Sequence, residues 1–235
     1  MEKKRQIAAV LILLALIGVI AYRHSTGKDL EKYEASFFDV FDTQTQIIGY
    51  ASSKEQFSEQ MSLIKDKFQY YNDLYDIYHD YEGMNNIKTI NDNAGIQPVK
   101  VDEEIIELLK LGITMDEKTD GNMNIAMGSV LSIWHDYREA GSEDPYSAEL
   151  PPMDELERAA EHTDIHDIVI DEEASTVYLT DPDMLLDVGS IGKGYAVQKV
   201  AEYAKNELGI QYMLFSVGGN VCAIGGHPDG SAWAV

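Results

Sequence analysis

Residue types and spacing come nearest to chemistry at Gly189-Ser190-Ile191-Gly192-Lys193-Gly194. Three glycines leave the backbone open to close approach. Where a strand gives way to a helix, the free N–H groups of the first turn and the positive dipole end favour an anion. Lys193 adds a full positive charge at the same place. Asp187, two residues before the run, offers an acceptor to a ribose or base, or else a cap to the helix. A phosphate ester is the ligand this combination would hold. The order matches neither common nucleotide signature. A P-loop needs glycine at 187, where aspartate stands, and Ser or Thr after Lys193; the G-x-G-x-x-G order is absent. The bland alternative is a tight strand-to-helix turn with a solvated lysine.

The pattern predicts the elements that must position these groups. Met184–Asp187 reads as a strand entering the glycine run. A helix follows with Val197, Val200, Ala201, Ala204 and Leu208 on one face, ended by Gly209. Gln211–Val217 and Asn220–Ile224 read as strands around a structural Gly218-Gly219 turn. Upstream, Phe37–Ile48 reads as a first strand and Ser52-x-x-Glu55 as a capping box. Phe57, Met61, Ile64, Phe68, Tyr71, Tyr75 and Tyr78 then repeat at four-three spacing, an amphipathic helix in which Tyr78 by itself reads as core. Asp102 caps another helix with Ile105, Ile106, Leu109 and Ile113 inward, stopping near Thr119-Asp120-Gly121. A polar stretch, Glu139–Pro152, separates the halves; Met153–Glu161 is a short helix, and Asp167–Asp171 with Thr176–Thr180 a hairpin. The mixture is α+β or α/β, with strands and helices sharing one sheet system and no repeats.

Composition sets the outer limits. The 235 residues hold 41 acidic and 18 basic groups, a formal charge of −23. Such a surface excludes a general nucleic-acid binder, which needs a basic stripe to displace counterions. One cysteine, Cys222, excludes an internal disulfide framework and a CxxC zinc site. His79, His135, His162, His166 and His227 show no metal-ligand spacing on a common face, and most read as surface residues. The basic charge is concentrated early: Lys3-Lys4-Arg5 precedes an unbroken apolar run from Ile7 to Tyr22, then Arg23. The run suits an export segment or short membrane anchor, with the basic end kept in the cytoplasm and the acidic body outside. No clear cleavage site precedes Arg23, which favours an uncleaved anchor. The expected organisation is therefore an anchor at 1–24, a linker at 25–36 and one domain at 37–235, held at the cell membrane on the extracytoplasmic side.

Three blocks, in order and at matching spacing, carry a family resemblance: Asp187-Val-Gly-Ser-Ile-Gly-Lys-Gly-Tyr-Ala196, Phe215-Ser-Val-Gly-Gly-Asn220 and His227-Pro-Asp-Gly-Ser-Ala-Trp233. Together they resemble the FAD:protein FMN transferases, the ApbE family. Phe41-Asp42-Thr43, Leu74–Asn91 and Gly121–Gly128 with Trp134 agree with it. The resemblance implies an α+β, T-fold-type architecture with mixed sheets and packed helices. It also implies binding of FAD and Mg²⁺, and transfer of FMN to a Thr or Ser hydroxyl of an exported flavoprotein with release of AMP. By position, Asp187 and Lys193 would contact FAD. Phe41, Tyr78, Asn122, Met123 and Asn124 would line the flavin site, with 122–124 in a strand, and Ser190 would offer a metal-binding oxygen. No catalytic residue is assigned. The chain departs from the family in having Asn124 where aspartate is common. The family also continues past the last block here, with further metal ligands, so the expectation is a C-terminally incomplete domain that binds metal poorly and transfers FMN weakly. The alternatives are an extracytoplasmic FAD-binding or FAD-hydrolysing protein and a non-catalytic membrane-anchored interaction module.

Overall fold

A computed structural model describes residues 30–235; the predicted anchor lies outside them. Among the described residues, no helix is long and apolar enough to cross a membrane. The chain opens on a hairpin, β1 (Glu31–Val40) and β2 (Thr43–Ala51). The single strand expected over 37–48 is thus two, broken by a tight turn. Strand β1 also begins inside the stretch read as a linker to residue 36. Its polar, charged sequence hides the strand because β1 is a sheet edge, with most of its side chains exposed or half-buried.

Strand β2 buries alternate positions, Thr45, Ile47, Gly49 and Ala51. It pairs on its other side with β6 (Met213–Val217), which buries Met213, Phe215 and Val217, and β6 pairs with β7 (Asn220–Ile224). The resulting four-stranded sheet has the order β1-β2-β6-β7. Its inner face carries the long helix α1 (Lys54–Leu74), whose buried Phe57, Met61, Ile64, Phe68, Tyr71 and Leu74 follow the predicted spacing. Phe68 sits at the centre, with its ring 6.2, 6.5 and 6.3 Å from those of Phe37, Phe41 and Phe215. The cap of α1 lies one residue later than predicted. Ser53 accepts from the Gln56 N–H, while the Gln56 side chain, not Glu55, takes the Ser52 N–H and hydroxyl.

Among the described residues the one sheet system of the sequence reading is two sheets, and every strand pair is antiparallel. The smaller has the order β3-β5-β4, from β3 (Val99–Lys100), β4 (Ile168–Asp171) and β5 (Thr176–Leu179), the last two forming the expected hairpin. The short helix α2 (Ile87–Asn91) precedes β3, and α3 (Glu103–Lys118) follows, capped by Asp102 as predicted and burying Ile105, Ile106, Leu108 and Leu109. Helix α4 (Gly128–Glu143) extends into the stretch read as polar separator, and α5 (Met153–Ala160) is the short helix expected there. Helix α6 (Gly192–Asn206) buries Val197, Val200, Ala201 and Ala204.

Residues 184–188 form no strand. Their backbone is held by a side chain instead: Asn91 donates to the Leu186 carbonyl at 3.0 Å and accepts from the Leu186 N–H at 2.8 Å. The Asp187 N–H donates to Ile125 O, and the Gly128 N–H to Leu185 O. Apolar Met184 and Leu186, both fully buried, made this segment look like a strand.

Candidate functional site

A cleft of about 530 Å³ opens where the β1–β2 turn, the loop after α1 and the N-terminus of α6 converge. Phe41, Tyr78, Asp187 and Lys193, which the sequence singles out, all line it. Each is placed by a different local device.

Phe41 and Asp42 form the two-residue turn between β1 and β2, with φ of 54° and 48°. That hairpin geometry needs left-handed backbone, which glycine and asparagine adopt cheaply and phenylalanine does not, at roughly 1–2 kcal/mol per residue. The Phe41 N–H donates to Asn72 Oδ1 at 2.7 Å, tying the turn to α1. Strain of this kind gathers at functional sites.

Tyr78 lies beyond α1, not on its buried stripe, and more than half of its surface is exposed. Its loop is wound around Asp76, whose carboxylate accepts from the Tyr78 N–H at 2.6 Å, the Tyr81 hydroxyl at 2.7 Å and the His79 ring at 2.9 Å. Burial alone would raise the Asp76 pKa; these donors overcome it and hold the carboxyl below its ordinary value. From the other side, buried Asn86 donates to the carbonyls of Asp73 and His79. Burial pushes the Tyr78 phenol above its usual range, with Asp187 adding to the rise and Arg138 opposing it.

At the glycine run, Asp187 Oδ1 accepts from the Gly189 N–H at 2.8 Å, so the residue organises the turn. Helix α6 then begins with no side-chain cap at Ile191. Gly189, Gly192 and Gly194 all lie outside the positive-φ region. An added Cβ would come no nearer than 3.0 Å to another group, that group being the Asp187 carboxylate at Gly189. Neither backbone conformation nor hard crowding therefore requires glycine here; what three glycines provide is room in front of the helix N-terminus. Lys193 projects into that room with no hydrogen-bond or ion-pair partner among the described residues. An uncapped N-terminus, bare backbone and a lysine without a direct ion-pair partner are an arrangement that could hold a phosphate-bearing ligand.

Other candidates are placed elsewhere. Asn122, Met123 and Asn124 do not line the cleft and lie in bent, irregular backbone, not the expected strand. Asn122 donates to Thr119 O, and Met123 packs against the core. Asn124 accepts from the Ala126 N–H and donates to Thr163 O, so its side chain is spent on backbone. Ser190 is exposed and off the cleft wall. Mg²⁺ asks for near-octahedral oxygen coordination with one or two carboxylates. Among the described residues no such set surrounds Ser190. The group that does converge among the described residues is His162, Asp181 and Asp183, with ligand atoms within 4.8 Å of one another. There the His162 Nδ1 pairs with Asp181 at 2.8 Å, which clips the α5–β4 connection to the end of β5.

The sequence reading missed a second cavity of about 500 Å³, sharing Tyr78, Arg138 and Asp187 with the first. Its other walls include Leu131, Trp134, His135 and Tyr137 of α4. Leu131, Trp134, His135 and Arg138 fall at i, i+3, i+4 and i+7, a helical face too polar to read as core and too aromatic to read as solvated. That mixed stripe is the signal that could have found it.

The fold has counterparts among known proteins. The ApbE family model matches residues 41–235. The chain is 25% identical over 175 residues to the FAD:protein FMN transferase of Escherichia coli K12, covering 73% of this chain and 48% of that protein. A Klebsiella pneumoniae protein of the same name is 25% identical over 186 residues, covering 79% and 56%. Among solved structures, the ApbE protein of Thermotoga maritima superimposes with a TM-score of 0.69 at 24% identity, covering 84% of this chain and 60% of that one. The flavin transferase ApbE of Vibrio cholerae gives 0.71 at 19%, covering 88% and 63%. The chain thus spans about half the length of the curated relatives it matches. With its α+β fold and its glycine-run cleft, it belongs to the ApbE family.

Proposed function

We propose that the protein transfers FMN from FAD to a Thr or Ser hydroxyl of an exported flavoprotein, releasing AMP in a Mg²⁺-dependent reaction. The observation that carries this reading is the glycine run, whose glycines are required by neither conformation nor hard crowding and front an uncapped helix beside unpartnered Lys193. The names of the curated relatives and the family match support it.

Phosphoryl transfer leaves a protein little covalent work; it must hold the phosphates and neutralise charge on their oxygens while the acceptor attacks in line. Lys193 and the first N–H groups of α6 do this for the diphosphate. Phe41 and Tyr78 flank the flat ring, and Asp187, with one carboxylate oxygen committed to Gly189, accepts from a ribose or ring donor with the other. The described residues around Ser190 do not by themselves make a magnesium site, and no step here is routed through the metal. The basic start and the apolar run from Ile7 to Tyr22 support an extracytoplasmic placement, anchored at the membrane where an exported acceptor would be met.

The test is product analysis. The full chain is incubated with FAD, Mg²⁺ and a membrane fraction from its source, and denaturing gels are read for covalent flavin fluorescence alongside AMP. A fluorescent protein band with matching AMP is expected, and Lys193→Met should abolish both. FMN and AMP free in solution without a labelled band would establish FAD hydrolysis instead, and absence of flavin binding would overturn the site.

A further inference from the structure

We infer that Arg138 is a substrate-gripping residue, reading the phosphate nearest the ring of a ligand that lies across both cavities. The inference rests on the flavin-transferase reading and adds a residue to it.

The first cavity carries Lys193 and the bare turn of α6, with Phe41 on the same wall; the second continues it as an aromatic extension, with Trp134, Tyr137 and Leu131. Arg138 borders both. Among the described residues it is, besides Lys193, the only Lys or Arg on the wall of the first cavity, which also carries Asp39, Asp42, Asp76 and Asp187. In a chain of net charge −23, an anionic ligand needs local cations to approach such a wall, and there are two.

Arg138 is also held ready. Its Nη2 donates to His135 Nδ1 at 2.8 Å and stands 3.6 Å from a Glu139 carboxylate oxygen. Nε and Nη1 have no partner among the described residues. Nη2 has two N–H groups and gives only one to His135; the other, side by side with an N–H of Nε or Nη1, leaves the guanidinium one edge that can bind phosphate through two parallel hydrogen bonds. The His135 ring lies against Tyr78, with centroids 5.0 Å apart at 31°, and the Tyr78 hydroxyl is 3.4 Å from Nδ1. Arg138, His135 and Tyr78 thus form one seam between the place for phosphate and the place for a ring. A ring joined to a diphosphate, as in FAD, fits that seam; a free ring or a free phosphate uses only half of it.

The test is flavin-fluorescence titration of the full chain with FAD, comparing wild type, Arg138→Met, Arg138→Lys and Lys193→Met over a range of salt concentrations. The expected result is FAD affinity reduced about tenfold or more in R138M, partly recovered in R138K, and with a shallower salt dependence in R138M. The side chain is 67% exposed, so the melting temperature of R138M should stay at the wild-type value and separate binding from folding. An R138M affinity within twofold of wild type, or R138K no better than R138M, overturns the role of Arg138. If K193M loses FAD while R138M keeps it, the transferase reading stands and this inference alone falls. If wild type itself does not bind FAD, both fall.

Discussion

Replacing Asn86 by alanine should cost about 3 kcal/mol of stability, because its side chain both caps α2 and holds the loop that carries Tyr78 from behind. Asn86 is fully buried. Its Nδ2 donates to Asp73 O at 3.1 Å and His79 O at 2.9 Å, and its Oδ1 accepts from the Thr89 N–H at 3.0 Å as the cap of α2. Loss of the cap costs about 1 kcal/mol. Each of two buried carbonyls left without a donor costs about 1 kcal/mol more. For a chain of this size that sum corresponds to a fall of roughly 6–12 °C in melting temperature. Asn86→Ser, which keeps a capping oxygen but neither amide donor, should lose about 2 kcal/mol on the same arithmetic. Urea denaturation of the three proteins measures both differences. The ordering Ala worse than Ser, with both well above 1 kcal/mol, is the expected outcome. An alanine variant costing less than about 1 kcal/mol would refute the reasoning, since it would mean that water or backbone adjustment supplies the missing donors. Well below its melting temperature, Asn86→Ala should still bind FAD more weakly than wild type, because the His79 carbonyl fixes the loop from behind.

Two further predictions concern the frame. Gly128→Ala would place a Cβ 2.5 Å from Leu185 O and 2.7 Å from Leu185 C, both backbone atoms, and should cost about 2 kcal/mol by denaturant midpoint; an unchanged midpoint would show that 184–188 can yield. The His162–Asp181 pair should give a pH-dependent contribution. Its hydrogen bond to Asp181 raises the His162 pKa, so that contribution is full below the unfolded histidine value and fades as pH rises through the raised folded one. The Asp183 N–H, with His162 also helping, lowers the Asp181 pKa, so its part is full above the unfolded carboxylate value and fades as pH falls through the lowered folded one. The stability gap between wild type and Asp181→Asn should therefore be widest between about pH 4 and 6.5. A gap that stays flat from acid to alkali would discard the clip.

What was legible in the sequence follows from which signals are periodic. Helices α1, α3 and α6 show their buried faces at four-three spacing, so Phe57 to Tyr71, Ile105 to Leu109 and Val197 to Ala204 were readable. Edge strand β1 was not, because an exposed edge has no apolar row to display. The segment at 184–188 misled for the opposite reason: burial by loops and by Asn91 writes the same apolar run as burial in a sheet. In the site, the glycine run, Lys193 and Asp187 were legible because unusual composition at one point in the chain needs no long-range information. Tyr78 was ambiguous, since its spacing continues a stripe from which the chain has already departed at Tyr75. Arg138 and His135 became visible only when α4 was laid beside the loop of Tyr78, 57 positions away from His135. Asn124 has a further part that the sequence did not display, since its amide bonds Ala126 and Thr163, the latter 39 positions away.

The way residues 184–188 are fastened has a practical meaning for anyone altering this protein. Asn91, Ile125 and Gly128 grip the segment from behind, and none of them lines the cleft. The socket and its mounting are separate parts. A library randomised at 189, 190 and 193 should therefore yield soluble, folded protein at high frequency. Ligand preference can then be explored there one residue at a time, without first rescuing the scaffold.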